Sequence, residues 1–202
     1  MSLVHMISHF QYQPLGDYRK QEVKVESVRG SILPNLRLDL VKRARSIEAT
    51  HLLFVDTDQT YPANTLHRMI KWDKDVVACN IATKQIPAQP TARYYDPANL
   101  ASGRRVYNQR GKGLDKVWRV GTGVMLIKMK VFDITGLNVW QWPWKEETQS
   151  YQGEDWSFVE ACERHGIDVY VDHDLSEEVV HWGPYGYNHD VVGEVVKEAV
   201  NG

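Results

Sequence analysis

The chain has 202 residues, of which 43% are hydrophobic and 25% charged, with a net charge of -2. These proportions are those of a globular protein and argue against disorder or a membrane protein, and the length predicts one domain over residues 1–202. The charge leaves no basic footprint for nucleic acid; the nearest candidate, Lys42-Arg43-Ala44-Arg45, reads as a solvated helix face.

Taken in chain order, residues 4–10 predict a first strand and residues 22–28, which alternate polar and apolar, a second. Only about ten polar residues separate them, fewer than a strand-helix-strand crossover needs, so the N-terminal unit reads as abbreviated. Pro34-Asn35 opens a predicted helix with Leu36, Leu40, Ala44 and Ile47 on one face. Leu52 to Val55 predict a buried strand, and Leu66, Met69 and Ile70 a short helix. Residues 75–78 start another strand, and residues 84–97 form a polar, proline-bearing loop with a hairpin after it. The strongest β signal covers residues 117–132, with Gly121 and Gly123 where backbone or ligand must approach closely.

Gly153-Glu154-Asp155 opens a predicted helix whose Asp155, Phe158, Val159 and Cys162 share one face, with Gly166 at its C-terminal end. Ile167, Val169 and Val171 alternate as a strand, residues 177–182 lead to His181, and residues 189–200 predict a closing amphipathic helix. Strands alternate with helices, which predicts an α/β fold with a mixed, mostly parallel sheet flanked by helices. Cys79 and Cys162 sit in apolar patterns and read as reduced core residues. With no apolar run of about 18 residues and no leader pattern at the N-terminus, no membrane span is expected and a cytoplasmic location is. Trp140, Trp142, Trp144 and Trp156 cluster near Glu154-Asp155, where they could stack on sugar rings or cover the core.

The sharpest chemical signal is His51-Leu-Leu-Phe-Val-Asp56-Thr-Asp58, an apolar strand running into two carboxylates. Asp-x-Asp is also an ordinary turn. In α/β sheets, however, ligands gather beyond the carboxyl ends of strands, where a hard cation can be shared between Asp oxygens and phosphate oxygens. Transfer from a nucleoside diphosphate needs such a cation, plus a base near the attacking hydroxyl. Asp56 and Asp58 suit Mg²⁺ or Mn²⁺, a neutral His181 would favour Mn²⁺, and Asp155 at a helix start is a candidate base.

These motifs in this order (Asp56-Thr-Asp58, Gly121-Thr-Gly123, Gly153-Glu154-Asp155 and a late His181) resemble the GT-A-fold glycosyltransferases, particularly family-2-like bacterial and phage members, over about residues 25 to 185. The resemblance implies a GT-A-like domain that moves a sugar from a nucleoside-diphosphate sugar to an acceptor hydroxyl, with inversion. It implies a metal held by Asp56, Asp58 and His181, a donor bound by Arg37, Asp56, Thr57, Asp58 and Lys84, and Asp155 as catalytic base. Gly123, Glu154, Trp156 and Trp182 are the implied acceptor residues. Arg37 matches the first residue of the Arg-Asn pair common in that family, with Leu38 in place of the Asn.

Two other readings stay open. Asp56-Thr-Asp58-Gln59-Thr60 also fits the D-x-D-x-T signature of haloacid-dehalogenase-like phosphatases, in which Asp56 would be the nucleophile and Asp58 the acid/base. A module of the same fold that binds nucleotide sugar without turnover is the other. The oligomeric state is not legible in the sequence.

Overall fold

The computed structural model describes residues 2–13, 22–190 and 192. Where residues 4–10 predict a strand, the chain forms helix α1 (Ser2–Tyr12). Met6 and Phe10 lie one turn apart and are buried while Val4 is exposed, so helical spacing overrides the β-branched content. Residues 22–28 have no regular structure, so the second predicted strand is absent as well. These residues line a cleft beside the open edge of β1 without pairing to it, and an unpaired segment cannot satisfy a strand's backbone.

Helix α2 (Leu33–Ser46) follows, with proline in its first turn where a missing N–H costs nothing. Its buried face is Arg37, Val41 and Ala44, rotated from the predicted stripe, and Ile47 falls beyond its end and is exposed. Then come β1 (His51–Val55), β2 (Gln59–Thr60), α3 (Thr65–Lys71), β3 (Val76–Ala78), and a hairpin of β4 (Arg93–Tyr94) with β5 (Arg104–Arg105). The predicted β segment over residues 117–132 is divided between β6 (Leu114–Val117), β7 (Val124–Lys128) and helix α4 (Lys130–Thr135). A second hairpin, β8 (Trp144–Lys145) with β9 (Ser150–Tyr151), leads to α5 (Glu154–Arg164). The chain continues through β10 (Val169–Asp172), α6 (His173–Ser176), β11 (Val180–Trp182) and β12 (Gly186–Tyr187). Helix α6 has no sequence prediction behind it; the predicted helix over residues 189–200 lies almost wholly outside the described residues.

The main sheet has the order β1-β7-β3-β10-β6. It is mixed rather than mostly parallel, because β3 and β10 pair in parallel while β1–β7, β3–β7 and β6–β10 are antiparallel. Strand-helix alternation correctly sets β1, β3 and β10 in one direction. It does not say which strands become neighbours, and β7 inserts between β1 and β3 running the other way.

Strand β7 is central, and Val124, Met125, Leu126 and Ile127 are all buried. Strand β1 is at the edge, which explains why only Phe54 of its residues is buried where a fully buried strand is predicted. One layer of core joins Phe54 to Val41, Phe132 and Phe158; the layer across the sheet joins Leu53 and Val55 to Met6, Phe10 and Met69. Helices α2, α4 and α5 therefore cover one face, and α1 and α3 the other. Among the described residues no helix is long and apolar enough to cross a membrane.

Candidate active site

Strand β1 is tied to β7 at its end, where the Asp56 amide donates to the Gly123 carbonyl at 2.9 Å. The chain then turns, with the Gln59 amide donating to the Asp56 carbonyl at 3.2 Å, so Asp56 and Asp58 are the first and third residues of a tight turn with Thr57 exposed between them. The pair is not disposed as a single pincer. Asp56 Oδ1 accepts from Arg37 Nη2 at 3.1 Å, whereas Asp58 Oδ2 accepts from Lys84 and lies 3.5 Å from His181 Nε2.

His181 comes from β11, which pairs with β2 in the register His181↔Gln59. Its Nδ1 lies 2.9 Å from the carbonyl oxygen of Ala82. A carbonyl only accepts, so Nδ1 carries the hydrogen and Nε2 is the nitrogen that faces Asp58, giving the carboxylate an N–H when the ring is charged and leaving a lone pair free for a cation when it is neutral. Burial raises the Asp58 carboxyl, but the Lys84 hydrogen bond and the His181 charge outweigh it and hold the group below its ordinary value. The other oxygen, Asp58 Oδ1, is buried with no hydrogen-bond partner.

That orphaned oxygen, with a neutral His181 ring facing the same carboxylate, would suit a hard divalent cation. Among the described residues no three His, Cys, Asp or Glu side chains converge as a complete metal cage. A complete cage is not what Mg²⁺ or Mn²⁺ needs beside a diphosphate, since one or two carboxylates plus phosphate oxygens and water fill the shell.

The glycines between β6 and β7 hold the two halves of the site together. A Cβ on Gly123 would stand 2.6 Å from Ile81 Cδ1 and 3.3 Å from Asp56 Oδ2, so a larger residue there would displace Ile81 and crowd the first carboxylate. A Cβ on Gly121 would stand 3.4 Å from Asp155 Oδ2. Two residues of one loop thus abut the two acidic centres that sequence separates by about a hundred positions.

At the start of α5, Asp155 Oδ1 accepts from the Trp156 amide at 2.7 Å, and the Cβ of any residue replacing Gly153 would stand 2.7 Å from the same oxygen. Burial and the neighbouring Glu154 charge push the Asp155 carboxyl up to about 6, against the opposing pull of the Trp156 amide and Arg37. Glu154 points inward, with Oε1 3.9 Å from Arg37 Nε and Oε2 accepting from Trp142 Nε1 at 3.3 Å. Arg37 also lies over the Phe54 ring, 5.0 Å from its centroid.

A cleft of about 1140 Å³ runs from this turn along the open edge of β1. Arg37, Asp56, Thr57, Asp58 and Trp182 line it, together with residues 22–28. Asp56 donates to Gly123 and Met129 donates to Thr50, which fixes the ladder's phase and turns the backbone groups of His51, Leu53 and Val55 away from β7 toward the cleft.

The predicted donor and metal residues Arg37, Asp56, Thr57, Asp58, Lys84 and His181 are therefore brought together. The predicted acceptor residues are dispersed. Trp156 is beside Asp155, but Gly123 packs on Asp56, Glu154 is turned to Arg37, and Trp182 donates to Thr60 Oγ1 at 2.9 Å on the Asp58 side. Of the clustered tryptophans, Trp140 is core, stacked on Phe158 at 4.5 Å, while Trp142 and Trp144 are exposed. Sequence reasoning missed Trp142 as the partner of Glu154, and Ala82 as the group that orients His181. The spacing of Arg37 with Val41 and Ala44 is the signal that could have placed an arginine on the buried helix face, in place of the stripe through Leu36 and Leu40.

No protein-family model matches the chain, and no curated protein does. Among solved structures it is similar to one titled "Crystal Structure of A197 from STIV", with a TM-score of 0.52, 16% identity, and coverage of 80% of this chain and 74% of that one. At that identity the likeness is one of fold alone.

Proposed function

We propose that the chain is a metal-dependent glycosyltransferase of GT-A-like architecture, moving a sugar from a nucleoside-diphosphate sugar to an acceptor hydroxyl with inversion. The observation that carries this reading is the meeting of Asp56, Asp58, His181 and Asp155 at one end of the sheet, with Arg37 reaching from Asp56 to the base of α5 and a long cleft opening from the turn. That end lies beyond the carboxyl end of β1, where α/β sheets place their ligands.

In this reading Asp58 and His181 hold the metal, with Asp56 beside them, and the cleft along β1 takes the nucleoside. When bound, Mg²⁺ or Mn²⁺ supplies positive charge to the diphosphate as it leaves. Lys84, now on Asp58, is within reach of the same phosphates as a point charge. Asp155, with its carboxyl at about 6, is ionised at neutral pH yet basic enough to take the proton from the acceptor hydroxyl. The hydroxyl oxygen then bonds to the anomeric carbon from the face opposite the diphosphate, and the bond from that carbon to the diphosphate oxygen breaks. Trp156 and Trp118, with rings 6.2 Å apart, form an apolar wall next to the base. Buried, unpaired Cys79 and Cys162 suit a reducing cytoplasm.

The test is calorimetry of nucleoside diphosphates with and without Mn²⁺, on the parent and on Asp58→Ala. Metal-dependent binding lost in Asp58→Ala is the expected result. Binding that is equal with and without metal overturns the metal assignment, and no binding in either condition overturns the function. Hydrolysis of p-nitrophenyl phosphate in place of sugar transfer would favour the phosphatase reading, in which Asp56 is the nucleophile.

A further inference from the structure

Five arginines elsewhere in the chain have carboxylate partners: Arg37 with Asp56, Arg43 with Glu26, Arg45 with Asp133, Arg68 with Glu178 and Arg119 with Glu163. Arg29, Arg110 and Arg164 have no ion pair among the described residues, but none of them is the ladder partner of another arginine. The β4–β5 hairpin is different. Arg93 and Arg105 are direct cross-strand partners and Arg104 is paired with Tyr94, so three guanidinium groups occupy a ladder of two residue pairs. Like charges opposed across a ladder repel, and none of the three has an ion pair among the described residues. Arg104 instead lies over the Tyr94 ring at 4.9 Å, and Arg93 donates to the Ala92 carbonyl at 2.9 Å and to that of Pro90. Burial and the adjacent Arg105 charge lower the Arg93 pKa, the direction expected of a guanidinium crowded by another cation.

These three side chains line a cleft of about 460 Å³, together with Asn99, Ser102 and Tyr107. That volume is in the range of small-molecule sites, and the wall combines forked cationic donors with amide and hydroxyl groups. Asp96 also lines it, with Oδ1 turned to the Ala98 amide at 3.0 Å, leaving three positive groups against one negative.

The cleft is next to the candidate active site. A Cβ on Gly103, in its wall, would stand 2.9 Å from the Trp118 ring, and that ring is 6.2 Å from Trp156, which follows Asp155. The hairpin is also tied to the segment leading to Gly121, with the Arg93 amide donating to the Arg119 carbonyl at 2.7 Å. A ligand anchored here would reach Asp155 past the two tryptophans, from a cleft that shares no lining residue with the one along β1.

We propose that the Arg93, Arg104 and Arg105 cleft binds the phosphate group of an acceptor, so that the hydroxyl taken by Asp155 belongs to a small phosphate monoester. The acceptor role rests on the glycosyltransferase reading; the anion site does not. An unpaired, mutually repelling arginine cluster in a concave wall gains most from a dianion, which Arg can grip bidentately.

The experiment is calorimetry of the full chain with inorganic phosphate and with glucose 6-phosphate, glucose being the neutral control, all at fixed ionic strength. The parent is compared with the double variant Arg104→Ala/Arg105→Ala, whose positions are exposed, and with Lys42→Ala as an exposed control. Expected are saturable binding of both phosphates but not glucose, at least tenfold weaker binding in the double variant, and no change in Lys42→Ala. The double variant should keep metal-dependent nucleotide binding while losing transfer to the phosphorylated acceptor. Absence of saturable phosphate binding in the parent, or equal binding in the double variant, overturns the site. Arginine-dependent phosphate binding in a protein that binds no nucleotide would leave the anion site standing and remove the glycosyltransferase reading.

Discussion

Arg37 Nη2 lies 3.1 Å from Asp56 Oδ1, and the arginine keeps only 7% of its side-chain surface exposed. A single buried guanidinium thus orients the first acid of the Asp-x-Asp turn, and through Glu154 it also reaches the helix that carries Asp155. Its replacement by Met should leave Glu154 buried with only the Trp142 indole as partner, at a cost on the order of 3 kcal/mol. Because Arg37 draws the Asp155 pKa down, Arg37→Met should also move the midpoint of the pH–rate profile upward. Lysine should not restore the parent values, since it lacks the guanidinium fork. Denaturant titration and a kcat/KM profile from pH 5 to 8 check both parts.

Asp155→Asn should retain nucleotide binding and lose turnover by about 10²- to 10⁴-fold, the usual span of general-base catalysis. In the parent, kcat/KM should rise with pH through about 6 and level off above it, because the base works only when deprotonated. A flat profile, or unchanged turnover in the variant, would remove Asp155 from this role.

The same residue carries a stability signature. Its carboxyl is raised from 3.8 to about 6 on folding, so between those values the folded state holds more protons than the unfolded one. The stability it contributes is therefore present at low pH and lost as pH rises through about 6. Asp155→Asn should raise Tm relative to the parent at pH 7.5, and the difference should shrink toward pH 4. Scanning calorimetry at the two pH values tests the sign.

Gly123→Ala should cost about 1–3 kcal/mol, because the new Cβ overpacks against Ile81. At roughly 2–4 °C per kcal/mol for a chain of this size, the drop in Tm is easily measured. Adding Ile81→Val removes the atom in the way, Cδ1, and should recover much of the loss, a coupling that a double-mutant cycle quantifies.

Lys84→Met should strengthen binding of Mn²⁺ alone, since it removes the cation that now neutralises Asp58 Oδ2. Nucleoside diphosphate affinity should fall in the same variant. Mn²⁺ titration followed by electron paramagnetic resonance separates the two effects.

Much of the frame was legible in the sequence. The helices α3 and α5 and the strand β10 bury residues at their own repeat, β1 and β3 show as short apolar runs, and the Asp-x-Asp turn, the two glycines and the acidic helix start can be read directly from residue type. The N-terminus was not legible, because the apolar residues of α1 fit strand and helix periods alike over so short a span. Met6 and Phe10 are settled only by the sheet face they cover. The direction of β7 was hidden for a related reason: alternation of elements orders them along the chain and leaves their neighbours unspecified.

By itself, then, the sequence determined which residue types could carry chemistry and which segments could bury an apolar face, since both follow from local composition and spacing. Tertiary structure alone decided that Arg37 reaches Asp56 and Glu154, that Ala82 orients His181, and that the hairpin arginines share one wall. The first two join residues distant in the chain, and for Arg37 it is the packing of β7 between β1 and β3, with α2 and α5 on the same face, that brings the groups together. The arginines are brought to one wall by the β4–β5 ladder.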